Sequence, residues 1–334
     1  MNEKDIQSAP PRSGRRIASM LFFGANAQIL AILFVIALGR LLLYDRTRVF
    51  VWINMYTVYI YLPAYLILLV GLLARRKYLA MAAGGIIVFH LFLILPNMTR
   101  AIHFNEETTV GESIRLFSAN LTKNNEHSAE MLAEIEQADP DVLLFQEYTP
   151  LWDSAFSQSQ LVETYPYRLL NVEEGPSGSS IWSKRPLHDT DIWFAERVYI
   201  TSATIEISDQ PVRLHNIHPL PPLMHFRRWD PMMDKIRQGI MTGTIPVIAI
   251  GDYNAGPYNR QYQALLDEGL HNLHDELGRS LATTWPNGLQ PAPPVRLDHA
   301  FVSSEIVGLS IREGVGLGSD HKPVIVDVAL VSSP

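Results

Sequence analysis

The sequence predicts two unlike parts, a membrane-type bundle of helices followed by an α+β layered domain. Three observations carry this. Long apolar runs occupy residues 17–44, 51–74 and 78–96. From residue 113 the pattern changes to short apolar strand-like runs separated by helical periodicity. Almost every such strand ends on a polar side chain able to do chemistry. The second part therefore reads as two mostly antiparallel sheets packed face to face, with helices outside and the polar residues gathered on one rim.

Each early run is long enough to cross a hydrocarbon core, which takes about 20 helical residues. The first follows Arg12, Arg15 and Arg16 and contains Ala25-Asn26-Ala27, which mimics a signal-peptide cleavage site. Its apolar stretch continues well past Ala27, so it is expected to stay as a transmembrane helix. Pro63 is expected to kink the second run, and Asn26, Gln28 and His90 to hydrogen-bond between helices. Lys4 and the three arginines of the tail, with Arg75-Arg76-Lys77, place the tail and that loop on the cytoplasmic side. Three crossings then put the chain beyond residue 96 outside the cytoplasm, with 97–112 as a polar tether. The expected domains are 1–96, a membrane domain, and 113–334, the layered α+β domain.

There is no cysteine, which excludes disulfides, thiolate metal sites and a cysteine nucleophile. Residues 1–99 hold ten of the 27 Lys/Arg and three of the 34 Asp/Glu, leaving 17 and 31 in residues 100–334, a net charge of −14. Such a domain repels a polyanion unless a local basic patch intervenes.

Along the second part, the strand 114–118 ends at Asn120. An amphipathic helix follows at 128–138, with Met131, Leu132 and Ile135 on one face and Asp139-Pro140 as its stop. Strand 142–145 ends at Gln146-Glu147. Strands at 179–183 and 201–207 follow, then 212–217, which ends at His218. Helices at 230–241 and 258–268 flank a strand at 246–250 that ends at Gly251-Asp252. The last strands are 297–303, which contains Asp298, and 323–330, preceded by Ser319-Asp320-His321.

This residue set suits hydrolysis of a phosphoester. The reaction needs a hard cation, a base for water, and donors for the phosphoryl oxygens. Glu147 is the leading metal ligand, with Asp320 and Asn120 as helpers; carboxylate and amide oxygens suit Mg²⁺. Asp252 is expected to orient water and Asn254 to donate to phosphate. His218 and His321 are phosphate donors, one of them a candidate general acid, and Asp298 is the expected partner of His321. Arg227-Arg228 is a candidate phosphate contact. Leu220, Leu223, Met224, Phe226 and Trp229, around Pro221-Pro222, form either an apolar lip or plain core.

Asn120, Gln146-Glu147, His215-Asn216-Ile217-His218-Pro219, Gly251-Asp252-Tyr253-Asn254, Arg296-Leu297-Asp298-His299 and Ser319-Asp320-His321 stand in an order that resembles the endonuclease/exonuclease/phosphatase (DNase I-like) superfamily. Tyr165-Pro166-Tyr167-Arg168 and Thr284-Trp285-Pro286 are similar to its bacterial membrane-anchored branch. The resemblance implies a four-layer αββα sandwich behind a bundle of three transmembrane helices. It also implies a phosphoesterase dependent on Mg²⁺, with Mn²⁺ as a substitute. The implied catalytic residues are His218, Asp252, Asn254, Asp298 and His321, and the metal ligands Asn120, Glu147 and Asp320. Arg168 and Arg228 are expected at the substrate. The implied setting is a bacterial plasma membrane with the catalytic domain outside the cytoplasm, acting on a phospholipid or prenyl phosphate. The alternative is an extracytoplasmic nuclease, disfavoured because the sequence shows no basic track with stacking aromatics. Oligomeric state stays open.

Overall fold

The computed structural model describes residues 12–99, 110–288 and 291–331. The chain divides into two compact units. One holds the residues up to Leu43 and Thr57–Ile94, the other Tyr44–Tyr56 and everything from Leu95 onward.

The first unit is helical: Arg12–Leu43, Thr57–Ile60, Leu62–Leu73 and most of Lys77–Met98. Its core joins Leu30, Leu33 and Ala37 to Tyr61, Ala64 and Ile67 and to Ala83, Ile86 and Ile87. The opposite faces carry apolar side chains outward, among them Leu21 (69% exposed), Val35 (64%) and Val88 (68%). Water penalises such a surface and a lipid interior does not. Arg16–Leu43 and Lys77–Met98 are each long and apolar enough to cross a membrane. His90 makes the expected bond between helices, Nδ1 to the Tyr65 hydroxyl at 3.2 Å, whereas Asn26 donates to Phe22 O on its own helix.

The second expected span, 51–74, is not one helix. Arg48–Met55 and Thr57–Leu73 meet at 77°. The break lies before Pro63, which sits in the first turn of Leu62–Leu73, where its missing N–H costs nothing. The cause of the break is the burial of Val51, Asn54 and Met55 in the second unit. Of the expected tether 97–112, Asn97 and Met98 close a helix and 110–112 open a strand, while residues 100–109 lie outside the described residues.

The second unit is the layered domain. Its strands are β1 (Val110–Asn120), β2 (Val142–Gln146), β3 (Tyr167–Asn171), β4 (Ser179–Ser183), β5 (His188–Ala195), β6 (Val198–Ile207), β7 (Gln210–Ile217), β8 (Val247–Asp252), β9 (His271–Asn272), β10 (Asp298–Val302), β11 (Ile306–Glu313) and β12 (Val324–Val331). One sheet runs β11-β12-β1-β2-β4-β3 and the other β5-β6-β7-β8-β10-β9. Strand alternation builds the layers. Leu116 and Leu144 face inward to meet Leu214, Ile248 and Ile250 of the other sheet. Phe117, Leu143 and Phe145 face outward, onto Met131 and Ile135 of helix Ser128–Ala138 and Trp152 and Phe156 of Pro150–Ser157. On the other side Ala249 and Phe301 pack on Trp229, Met232 and Ile236 of helix Pro222–Ile240 and Tyr262 of Arg260–Asp267. The expected αββα sandwich results.

Both sheets are mixed, each with one parallel pair, β1 with β2 and β7 with β8. A parallel pair sends two strands out at the same end, so each sheet presents two polar exits on one rim. β12 starts beside the end of β1 (Ser118 pairs with Val324), and β10 starts beside the end of β8 (Asp298 pairs with Asp252). The six polar strand ends are brought to one place by this topology.

Below the rim a pair of amides ties the sheets together. Gln146 Nε2 donates to Asn216 Oδ1 at 2.6 Å, and Asn216 Nδ2 donates to the carbonyls of Phe145 (2.8 Å) and Ser180 (3.1 Å). Both side chains are buried. Asn216→Ala removes the shortest acceptor of Gln146 and the donor to two carbonyls. It is expected to destabilise the domain by about 3 kcal/mol, read by chemical denaturation, and to be non-additive with Gln146→Ala.

Candidate active site

Asp252 is the centre of the group. Gly251, at φ +146°, lies so close to the Ile217 carbonyl that a Cβ there would strike it, so only glycine lets β8 approach β7 here. The Asp252 carboxylate is buried. Its Oδ1 accepts from Asn254 N at 2.8 Å, and its Oδ2 from Asn120 Nδ2 (3.1 Å) and Asn254 Nδ2 (3.3 Å). The same oxygen lies 3.5 Å from His218 Nε2 and 3.6 Å from His321 Nε2. Burial raises the Asp252 pKa above its ordinary value; Asp298 adds to the rise, and the two imidazoles and the Asn254 amide oppose it. A carboxylate held this way is poised to take a proton.

His321 is the counterpart. Its Nδ1 meets Asp298 Oδ2 at 2.9 Å. Burial works against its charge, but Asp298 and Asp252 outweigh burial and raise its pKa to about 10. It is therefore an imidazolium at neutral pH, and Nδ1 is the donor to Asp298. Thr284 Oγ1 fixes the start of β10 by accepting from Leu297 N (3.0 Å) and Asp298 N (3.1 Å). His218 differs. Its Nδ1 is buried with no hydrogen-bond partner among the described residues, and the carboxylate it meets is Asp252.

The expected metal ligands are linked through the exit of β1. Asn120 Oδ1 accepts from Thr122 N at 3.0 Å, Thr122 Oγ1 donates to Asp320 Oδ1 at 2.8 Å, and Lys123 N donates to Glu147 Oε2 at 2.8 Å. Trp285 Nε1 donates to Asp320 Oδ2 at 3.2 Å. Burial alone would raise the Asp320 pKa, but His321, Thr122 and Trp285 outweigh it and the pKa falls, so Asp320 is anionic. Glu147 and Thr122 both sit at positive φ (56° and 57°), a cost of about 1 kcal/mol or more each that aims side chains inward. The second Glu147 oxygen has no hydrogen-bond partner among the described residues. These are oxygen donors only, and they fit a hard divalent cation. Asp252, Asp298 and His321 also bring potential ligand atoms within 4.8 Å of one another. Their mutual hydrogen bond and opposite charges already account for that closeness.

Two expected residues are not brought in. Arg168 is exposed on edge strand β3, with its guanidinium over the Trp182 ring at 5.1 Å, on the outer face of the sheet. Arg228 is exposed on helix Pro222–Ile240, without a hydrogen bond or ion pair to the site. His215 and His299 are structural: His215 bonds Ser202 Oγ at 2.7 Å and His299 bonds Ala255 O at 2.8 Å. Burial lowers the pKa of both, that of His215 to about 3. Of the apolar lip, Trp229 is fully buried and Leu220 and Phe226 pack on the core, whereas Leu223 (41%) and Met224 (78%) are exposed. Sequence reasoning misses the roles of Thr122, Ser319 and the Trp285 indole. Ser319 Oγ donates to Asn120 O at 2.7 Å, a contact no spacing announces.

A sandwich whose rim joins carboxylates, amides and a charged imidazole defines a metal-dependent phosphoesterase. The chain belongs to the endonuclease/exonuclease/phosphatase family, whose profile matches residues 111–321. Similar solved structures include TDP2 from D. rerio with a single-strand DNA product (17% identity, TM-score 0.57, 65% of this chain and 99% of that one). Another is the 3′ phosphatase NExo from Neisseria bound to a product DNA hairpin (16%, TM-score 0.51, 64% and 98%). A third is the endonuclease/exonuclease/phosphatase from Beutenbergia cavernae (14%, TM-score 0.51, 66% and 72%). No curated protein matches the chain.

Proposed function

We propose that this protein is a membrane-anchored, Mg²⁺-dependent phosphoesterase that hydrolyses a phosphate ester or pyrophosphate of a membrane lipid. The observation that carries this reading is the union, in one chain, of the Asp252, His218 and His321 cluster with two helices long and apolar enough to cross a membrane. The net charge of −14 over residues 100–334 and the exposed Leu223 and Met224 agree with a lipid rather than a polyanion.

Asp252 orients the attacking water and takes its proton as the new P–O bond forms. His321 and His218 hold the phosphoryl oxygens, with Asn254 as a further donor. One imidazole returns a proton to the leaving oxygen as its bond to phosphorus breaks. Glu147, Asp320 and Asn120 would hold the Mg²⁺, which supplies charge neutralisation at the phosphoryl group. The chain enters the membrane through its N-terminal helices, with the tail and Arg75-Arg76-Lys77 cytoplasmic and the catalytic domain outside.

A second reading, nucleic-acid hydrolysis, is favoured by the DNA bound to the D. rerio and Neisseria neighbours. Purified full-length protein with Mg²⁺ or EDTA decides between them on a lipid pyrophosphate, a phosphodiester chromophore and plasmid DNA. Turnover of the lipid that EDTA abolishes is the expected result. Plasmid nicking at a rate rivalling lipid turnover would overturn the lipid assignment.

A further inference from the structure

The stretch between the first two helices of the membrane-type unit belongs to the catalytic domain. Helix Arg12–Leu43 ends at Tyr44, which turns the chain at φ 47°. Asp45 follows, and it is fully buried. Its Oδ1 accepts from Asn54 Nδ2 at 2.5 Å, and its Oδ2 from Arg260 N at 2.6 Å and Asn259 Nδ2 at 3.2 Å. Asn259 also donates to Val51 O at 2.9 Å and accepts from Gly256 N at 2.8 Å. Arg260 opens helix Arg260–Asp267, and the side chain of its N-cap, Asn259, does not cap it. Asp45 fills that place from 215 positions upstream, satisfying an orphan N–H with a carboxylate at the positive end of the helix.

The loop so held is the one that leaves the active site. It runs from Asp252 through Tyr253 and Asn254 to Asn259. Inside, Tyr253 OH bonds Ala249 O at 3.0 Å and His299 holds Ala255 O. Outside, Asp45, Val51 and Asn54 close it, with Asn97 Nδ2 near Pro257 O at 3.5 Å. Asn254 itself stands at φ 48°, a left-handed conformation that asparagine tolerates, and its Nδ2 donates to Pro219 O at 2.9 Å.

We propose that Asp45 is a positioning residue for the catalytic loop, so that segment 44–56, which directly follows the first membrane-type helix, sets the geometry of Asp252 and Asn254. This deepens the proposed phosphoesterase reading and rests on it for its kinetic arm only.

The test uses full-length protein in detergent, with bis(p-nitrophenyl) phosphate and Mg²⁺ for turnover and hydrogen exchange for the loop. Asp45→Ala is expected to lower kcat by about 10- to 100-fold with KM within about twofold. Amide exchange over 253–260 is expected to rise by at least about tenfold while β8 stays protected. The exchanged pair Asp45→Asn with Asn54→Asp rebuilds the bond with donor and acceptor reversed and leaves the amide oxygen at position 45 to Asn259 and Arg260. It is expected to restore kcat and protection, which a merely destabilising lesion would not show. Unchanged exchange over 253–260 in Asp45→Ala, or unchanged kcat in Asp45→Ala where the wild type turns over, would overturn the proposal. If Asp45→Ala does not fold, the exchanged pair decides, and an unprotected loop or lowered kcat there overturns it. A wild type that turns over neither this diester nor the lipid pyrophosphate sinks the phosphoesterase reading and leaves loop exchange to judge Asp45.

Discussion

Asp252→Asn is expected to lower kcat by about 10³-fold with little change in KM, the size of effect of removing a positioned base. The substitution keeps the volume of a fully packed side chain, so it tests charge and proton affinity rather than space. In the wild type three N–H donors converge on the carboxylate, from Asn254 N, Asn254 Nδ2 and Asn120 Nδ2. An amide offers one acceptor to these three, so the orientation of a water at this position is lost with the base. The raised Asp252 pKa puts the acid limb of kcat above the ordinary aspartate range. Initial rates on the chromophoric diester between pH 4 and 9, beside an Asp139→Asn surface control, measure both effects. Wild-type turnover in Asp252→Asn would remove Asp252 from the chemistry.

The parts of this site that can be read in the sequence are those on central strands. β1, β2, β4, β6, β7, β8, β10 and β12 are buried by neighbours on both sides, and their apolar runs announce them. The four strands that the sequence does not announce, β3, β5, β9 and β11, are the four sheet edges. His188–Ala195 reads HDTDIWFA and is mostly exposed, so no burial shaped a period-two pattern there. The same logic divides the site. Asn120, Glu147, His218, Asp252 and Asp298 sit at or just beyond central-strand termini, where an apolar run stops abruptly. Thr122, Ser319 and Trp285 act through loop contacts of long sequence separation, Thr122 to Asp320 spanning 198 positions. The expectation for Arg228 rests on charge and that for Arg168 on a charged residue in a local motif, and neither says which face a side chain takes. The break at Tyr56 is hidden because helix Arg48–Met55 is as apolar as a span. Its long-range contacts distinguish it, Val51 in the core of the second unit and the Val51 carbonyl accepting from Asn259.

Asp298→Asn is expected to lower kcat by about 10²-fold or more and to carry a pH signature that loss of packing cannot mimic. His321 is cationic in the wild type because Asp298 and Asp252 outweigh its burial. An amide at 298 withdraws one of those two charges. It also removes the carboxylate acceptor of the 2.9 Å bond, so burial regains control and the imidazole becomes neutral at lower pH. In the metal-free wild type the raised His321 pKa adds stability that is fully present below pH 6.5, the unfolded value, and is lost as pH rises towards about 10. That slope is expected to flatten in Asp298→Asn, read as melting temperature against pH from 6 to 10 in EDTA. In the kinetic profile with metal, the basic limb of kcat is expected to move to lower pH by at least one unit, about 1.4 kcal/mol of lost charge stabilisation. His321→Asn removes the titrating group and is expected to lose the limb altogether. Melting curves of Asp298→Asn that follow the wild-type slope would show that Asp298 does not hold the charge on His321.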